Sequence, residues 1–228
     1  MQPTGTSADG AAVYSPLVLR VYDTVVHRFN LPVLWGCASS RVQRMYDELA
    51  GPAHLDVGVG TGRYLDRARP RKPFTRLALL DLNADCLLHT ARRVARLGPS
   101  CHEGDVLRPW PPALVDFDSV GMATLLHCVP GPWAHKAVAF DQARRALRPG
   151  GVLFGSTILG RGVPTPWRAR PVLAAFNRRG IFHNREDDED GLRRELEERF
   201  DEVHVERVGM VALFRARCTP RLPHPSVT

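Results

Sequence analysis

The stretch His54-Leu-Asp-Val-Gly-Val-Gly-Thr-Gly-Arg-Tyr-Leu65 decides the fold of this 228-residue chain. The stretch begins with apolar residues typical of a buried strand and ends with residues that are compatible with a helix. Between them stand Gly58, Gly60 and Gly62, which lack the Cβ that would hinder a positive-φ turn and the close approach of a ligand. A strand, a glycine-rich turn and a helix are typical of α/β domains that bind a nucleotide-like ligand at the end of the first strand.

The glycine spacing does not fit the dinucleotide fingerprint G-x-G-x-x-G, because the third glycine would fall on Arg63 or Leu65. The chain instead reads D-x-G-x-G-x-G, and its acidic residue is Asp56. A carboxylate at this place repels a pyrophosphate but attracts a ligand that carries an ammonium and a sulfonium group. S-adenosylmethionine (SAM) is such a ligand. An ordinary glycine-rich turn is the alternative.

In this motif the chain resembles the class I SAM-dependent methyltransferases, whose first motif is an acidic residue followed by G-x-G-x-G. The resemblance covers residues 54–158, and residues 188–217 by pattern only. It implies a Rossmann-like α/β fold, with helices on both faces of a seven-stranded sheet of order 3-2-1-4-5-7-6 and an antiparallel strand 7. It also implies that SAM is bound at the first motif by Asp56, Gly58, Val59, Gly60 and Gly62.

A second apolar run, over residues 76–81, ends in a further acid, Asp81. An acid at the end of the second strand can accept two hydrogen bonds from a ribose diol. The resemblance gives Asp81 that role and implies that the next residue, Leu82, packs on the adenine. The alternative for Asp81 is a cap of the helix expected over residues 84–97, but Asn83 suits that role better.

The resemblance also implies contacts at the ends of the third and fourth strands. Asp105 corresponds to an acid that bonds the adenine amino group, and Val106 to the residue that contacts the ring. A polar turn is the alternative for this segment. The fourth strand, over residues 116–122, is similar to the F-D-x-V strand of the family, and its end should place the backbone of Met122 and Ala123 against the methionine part of SAM.

Two segments are expected to cover the acceptor. Amphipathic helices are predicted at residues 16–29 and from Ser39 or Ser40 to Leu49, and the family uses such an N-terminal segment, residues 1–50 here, as a lid. Glycines and prolines interrupt the strand-helix rhythm over residues 161–187, where related small-molecule methyltransferases build a substrate cover. The candidate acceptor contacts are Tyr14, Tyr22, Trp35, His183 and Asn184.

Methyl transfer from a sulfonium is an in-line displacement, to which positioning contributes most of the acceleration. A base is needed only if the nucleophile arrives protonated. His127 follows the carboxyl end of the fourth strand, and a neutral imidazole can take a proton from a hydroxyl at neutral pH. We therefore predict His127 as the catalytic base. The alternative is a histidine that packs under the lid or bonds to the backbone.

The remaining pattern completes one domain over residues 1–228. A helix is expected over residues 133–147, followed by a turn at R-P-G-G and a fifth strand over residues 152–156. A charged amphipathic helix is expected over residues 187–200, before a closing antiparallel hairpin. Its acidic start favours the positive end of the helix rather than a metal site, because consecutive side chains diverge around a helix. We expect no metal.

Composition limits the classes of partner. The net charge of +7 could indicate nucleic acid, but the arginines are scattered and neither a basic stripe nor an aromatic stacking platform is visible. The N/D-P-P-Y motif of base-directed amino-methyltransferases is missing after the fourth strand. Five cysteines without a C-x-x-C spacing indicate neither disulfides nor zinc. No membrane-spanning run or signal peptide is visible, so we expect a soluble cytoplasmic monomer or homodimer.

These patterns predict an enzyme that transfers a methyl group from SAM to an oxygen or nitrogen of a small molecule, with secondary metabolism as a setting and S-adenosylhomocysteine as the product. One alternative is a SAM-binding protein, or a SAM enzyme, that transfers no methyl group. Another is an NAD(P)-dependent oxidoreductase, which would need the missing glycine spacing and a Tyr-x-x-x-Lys pair.

Overall fold

A seven-stranded sheet forms the centre of the computed structural model, which describes residues 34–218. In chain order the strands are β1 (Ala53–Val57), β2 (Arg76–Asp81), β3 (Ser100–Glu103), β4 (Phe117–Ala123), β5 (Leu147–Ile158), β6 (Glu202–Val208) and β7 (Val211–Arg217). Their order across the sheet is 3-2-1-4-5-7-6. The first five strands are parallel, and β7 is antiparallel to both β5 and β6. The expected sheet order and the antiparallel seventh strand are confirmed.

Helices cover both faces of this sheet. Within the described range they are α1 (Ser39–Leu49), α2 (Arg63–Arg67), α3 (Ala84–Arg93), α4 (Trp133–Lys136), α5 (Val138–Ala146), α6 (Ala169–Arg178) and α7 (Glu189–Glu197). None of them is long and apolar enough to cross a membrane. The helix expected over residues 16–29 lies outside the described residues.

The strand β2 shows how the two faces are filled. Its side chains alternate between the two hydrophobic clusters, because successive residues of a strand point to opposite faces. Leu80 belongs to the cluster formed with α4, α5 and α7. Leu79 belongs to the cluster formed with α1, α2 and α3. Both side chains are fully buried, which explains why the strand is apolar throughout rather than alternating.

Three element boundaries differ from the sequence prediction. The helix expected over residues 133–147 divides at Ala137, where Phe140 donates to the Ala137 carbonyl in a tighter three-residue turn. The helix expected over residues 84–97 ends at Arg93 and continues as a 3₁₀ turn. The strand β5 already includes the R-P-G-G segment, because Gly150 and Gly151 exchange backbone hydrogen bonds with Cys218.

A buried ion pair holds the end of the 161–187 segment to α4. The Lys136 ammonium lies 2.5 Å from a carboxylate oxygen of Asp187 and 3.1 Å from the carbonyl of His183, and neither charged side chain reaches solvent. Burial raises the pKa of Asp187 to about 6, although the Lys136 charge opposes the shift, and burial also lowers the pKa of Lys136. Removal of either side chain would therefore leave the other charge buried without a partner.

Replacing Lys136 alone tests this dependence. Lys136→Met should lower the free energy of unfolding at pH 7 by about 3–5 kcal/mol, because Asp187 is left buried without its cation. The loss should be smaller at pH 5, below the pKa of Asp187 of about 6, because protonation removes the buried charge. The double variant K136M/D187L should recover most of the loss. Urea unfolding followed by circular dichroism measures all three.

The matched control is Arg41→Met, because Arg41 and Glu206 form an ion pair whose side chains are 45% and 50% exposed. That change should cost less than about 1 kcal/mol. Equal losses for K136M and R41M would show that the buried pair has no special part in stability.

Candidate functional site

A cleft opens where β1, β2 and β4 end, at the point where the strand order reverses. In open α/β sheets this is the usual place for a ligand. The cleft holds about 1010 Å³ of space, which includes the solvent at its open mouth. It is lined by the predicted cofactor residues Asp56, Gly58, Val59, Gly60, Gly62, Asp81, Leu82, Asp105, Val106 and Ala123. The structure thus brings together residues that are far apart in sequence.

Met122 is the one predicted cofactor residue that does not line the cleft. It lies in β4, and its side chain is fully buried in the hydrophobic cluster under α5. The next residue, Ala123, does line the cleft. The alternation of the strand explains the difference, because neighbouring residues point to opposite faces. A contact through the backbone of Met122 stays a prediction.

The three motif glycines adopt positive φ angles of 70° at Gly58, 51° at Gly60 and 67° at Gly62, but their surroundings differ. A Cβ on Gly58 would lie 2.6 Å from Leu125, and one on Gly62 would lie 2.6 Å from Thr90. A Cβ on Gly60 would meet nothing within 4 Å. Gly58 and Gly62 therefore allow close packing of the protein, whereas the space around the Cβ position of Gly60 is open.

Asp81 is tied to the glycine turn. One carboxylate oxygen accepts a hydrogen bond from the Gly60 amide at 3.4 Å, and the other accepts one from the Asn83 amide at 2.9 Å. Burial raises the pKa of Asp81, and these hydrogen bonds partly offset the shift. The side chain of Asn83 caps α3 by accepting from Asp85 and Cys86, as the sequence predicted. Asp81 is therefore not needed as a cap.

Asp105 lies on the same cleft, after the end of β3. Its carboxylate accepts a hydrogen bond from the Leu107 amide at 2.9 Å, which forms a local turn. The local turn given as the alternative for this segment is therefore present, and Val106 also lines the cleft. The bond from Asp105 to an adenine amino group stays a prediction.

Tyr46 is a cleft residue that the sequence analysis missed. It lies on the buried face of α1, and its hydroxyl donates a hydrogen bond of 2.7 Å to one oxygen of Asp56. Its ring also stacks on Tyr64, with the ring centroids 5.5 Å apart. Burial raises the pKa of Tyr46 well above its usual value, and the charge of Asp56 adds to the shift, so the hydroxyl keeps its proton. In the sequence Tyr46 could only be assigned to the core face of a helix.

His127 does not line the cleft, although its neighbours Leu125 and Cys128 do. Its ring is 4% exposed and packs edge-on against Phe182 at 4.5 Å. Nδ1 lies 3.4 Å from the backbone N–H of Ile158, which can only donate, so the neutral ring carries its hydrogen on Nε2. Burial, with the charge of Lys136, lowers the pKa of His127 to about 3. The base role stays a prediction, and this geometry suits a structural histidine.

The predicted acceptor contacts within residues 34–218 do not line the cleft either. Trp35 is buried against Phe182, with the ring centroids 6.0 Å apart. Asn184 is buried, donates to the Ile158 carbonyl at 2.9 Å and accepts from Asn177 at 3.0 Å. His183 donates its backbone N–H to the His127 carbonyl at 2.7 Å. Tyr14 and Tyr22 lie outside the described residues.

Two cysteines and one strained residue also belong to the cleft lining. Burial raises the pKa of Cys128 to about 12 and also raises the pKa of Cys86. Thr124 has a φ of 55°, a left-handed conformation that costs a residue with a Cβ about 1–2 kcal/mol. Its amide donates to the Ser156 carbonyl at 2.8 Å, which holds this conformation against β5. Nothing in the local sequence indicates these positions.

Comparisons with known proteins agree with this geometry. Residues 55–153 match the family model described as "Methyltransferase domain". Demethylluteothin O-methyltransferase of Streptomyces thioluteus is 40% identical over 92% of this chain and 92% of its own. The physcion biosynthesis cluster O-methyltransferase of Aspergillus chevalieri is 34% identical over 91% of this chain and 94% of its own. The solved structure of the DhpI–SAH complex has the same fold, with a TM-score of 0.67 and 18% identity over 96% of this chain and 100% of that chain.

Alanine variants should separate the two kinds of motif glycine. Gly60→Ala should lower the free energy of unfolding by about 1 kcal/mol through backbone strain alone. Gly62→Ala should cost about 1–3 kcal/mol more, because its Cβ also crowds Thr90. Urea unfolding without ligand measures both. The control is Gly98→Ala, which has a φ of 59° and open space around its Cβ, so it should match Gly60→Ala. Equal losses at all three positions would contradict the assignment.

Proposed function

The chain belongs to the class I SAM-dependent methyltransferases, and we propose that it methylates a hydroxyl oxygen of a small molecule made in secondary metabolism. The observation that carries this proposal is the cleft at the ends of β1, β2 and β4, with a glycine turn and acids around it. The choice of oxygen over nitrogen is supported by the relatives that are named O-methyltransferases.

The residues of the cleft fit SAM. Asp56 lines the cleft and offers a carboxylate to the ammonium of the methionine part. Asp81 offers oxygens to the ribose diol, and the adenine would lie among Leu82, Asp105 and Val106. Acids beside the glycine turn would repel a pyrophosphate, which argues against a dinucleotide. When bound, SAM supplies a methyl group that is activated by its attachment to a sulfonium.

The chain itself acts mainly by positioning. The turn and the acids would fix one reactant, so that the acceptor oxygen can approach the methyl group in line. Among the cleft-lining residues of the described part there is no histidine or lysine. We therefore propose that His127 has a structural role, in which its hydrogen bond to Ile158 holds the turn after β4 against β5. The predicted role of His127 as a catalytic base is the competing hypothesis.

Coverage of the acceptor is also part of the proposal. Residues 1–50 would act as the lid and residues 161–187 as the substrate cover, within one domain. No residue of the 161–187 segment is among the described residues that line the cleft, so the cover role rests on the resemblance to related small-molecule methyltransferases. The five free cysteines support a cytoplasmic location. A metal-free reaction and a monomeric or dimeric state remain predictions.

Titration calorimetry with SAM and, separately, with NADH tests the cofactor. Wild type should bind SAM and not NADH. Asp81→Ala should weaken SAM binding at least about tenfold, because hydrogen bonds to a charged group are lost. The control Asp85→Ala removes an exposed acid of the neighbouring helix outside the cleft and should bind as wild type does. Binding of NADH without SAM would overturn the assignment. Turnover with hydroxyl acceptors, followed by mass spectrometry, separates a methyltransferase from a protein that only binds SAM.

His127→Asn separates the two roles of this histidine. An asparagine oxygen can accept the Ile158 N–H in place of Nδ1, so a holding role should cost less than about tenfold in kcat. Loss of a general base should cost about 10²- to 10⁴-fold. The pH dependence of the wild-type kcat should also show no inflection from titration of His127 between pH 5 and 8, because a pKa of about 3 keeps the ring neutral over that range. An inflection in this range that is present in wild type and absent in His127→Asn would establish His127 as the catalytic base.

A further inference from the structure

One oxygen of Asp56, Oδ1, is surrounded by groups from three elements. The Tyr46 hydroxyl of α1 donates to it at 2.7 Å. Nε2 of His54, two residues earlier on β1, lies 3.8 Å from it. On β4, Gly121 is the strand partner of Asp56, and a Cβ there would come within 2.8 Å of the same oxygen. Within residues 34–218 no hydrogen bond reaches the other oxygen, Oδ2.

His54 is itself fixed on every side. Its ring is fully buried and stacks between Phe74 and Phe154, with both centroids at 5.7 Å. Nδ1 lies 2.8 Å from the Ser119 hydroxyl oxygen, which in turn accepts the Gly51 amide at 2.8 Å. In the described part of the chain Nε2 has no hydrogen-bond partner, and it is aimed at the side of Asp56. A buried imidazole nitrogen without a bond is costly unless a nearby charge compensates it.

We propose that Tyr46 is a positioning residue that holds Oδ1 of Asp56, in the space that Gly121 leaves for it, and that Oδ2 remains for the ammonium of the methionine part of SAM. This inference rests on the proposed function, because it takes Asp56 as the group that binds the ammonium. Tyr46 supplies the directed hydrogen bond, and Gly121 provides the space in which Oδ1 sits. Nε2 of His54 lies 3.8 Å from Oδ1, beyond hydrogen-bond distance. A carboxylate fixed in this way loses little side-chain freedom when the ligand binds.

Two ligands isolate the effect of Tyr46. S-adenosylhomocysteine carries the amino-acid part, and 5′-methylthioadenosine lacks it while keeping the adenosine and the sulfur. Tyr46→Phe should weaken binding of S-adenosylhomocysteine by about 10- to 100-fold and leave binding of 5′-methylthioadenosine within about twofold, as measured by titration calorimetry. A purely structural role would weaken both ligands together.

A double-variant cycle then tests whether Tyr46 acts through Asp56. In an Asp56→Asn background, Tyr46→Phe should cause no further selective loss, because the charge that it positions is gone. Gly121→Ala should give the same selective loss as Tyr46→Phe, since its Cβ would come within 2.8 Å of Oδ1 and displace it. Gly121→Ala therefore tests the same inference with Tyr46 intact, in case Tyr46→Phe lowers the thermal midpoint of unfolding.

Three outcomes overturn the inference. One is equal weakening of both ligands in Tyr46→Phe and Gly121→Ala, and another is a full additional loss in the Asp56→Asn background. The third is that wild type binds neither ligand, which would also overturn the SAM assignment. If wild type binds both ligands and the variants weaken both equally, only the positioning role of Tyr46 is overturned. Failure of this inference is therefore distinguishable from failure of the SAM assignment.

Discussion

The parallel pairing of β1 with β4 is the constraint on which the cleft depends. The chain leaves β1 toward β2 on one side of the sheet, whereas β4 continues toward β5 on the other. The connections therefore diverge and leave a crevice at the carboxyl ends of the two strands. The same pairing sets Asp56 directly beside Gly121, so the carboxylate at the crevice has a neighbour without a side chain. A one-residue shift of this register would turn Asp56 toward the other face of the sheet.

Much of the fold could be predicted because its signals are local. The cap of α3 at Asn83, the apolar strand β2 and the closing hairpin all depend on neighbours in sequence. The predicted cofactor residues line one cleft, apart from Met122, but their contacts with a ligand stay predictions. The sheet order came from the resemblance of the glycine motif rather than from any pattern of pairing. The family membership and the sheet topology are confirmed, whereas the roles of individual site residues stay predictions.

The remaining features could not be predicted because they depend on contacts between distant segments. Tyr46 and Asp56 are joined by a bond between a helix face and a strand end, and helical periodicity assigns Tyr46 only to the core. The direction of His127 is set by a 3₁₀ turn and by an amide of β5, which the sequence around it does not specify. Pairing with Cys218 extends β5 into a segment that the Pro and Gly residues alone mark as a turn.

The two thiols of the cleft lining, Cys86 and Cys128, have a consequence for the durability of the catalyst. A sulfonium methyl group reacts with any good nucleophile, and a thiolate is a better one than a hydroxyl. Burial raises the pKa of Cys128 to about 12 and also raises that of Cys86, so both thiols stay protonated near pH 7. Burial thus protects the cleft from alkylating itself, and the methyl group is kept for the acceptor.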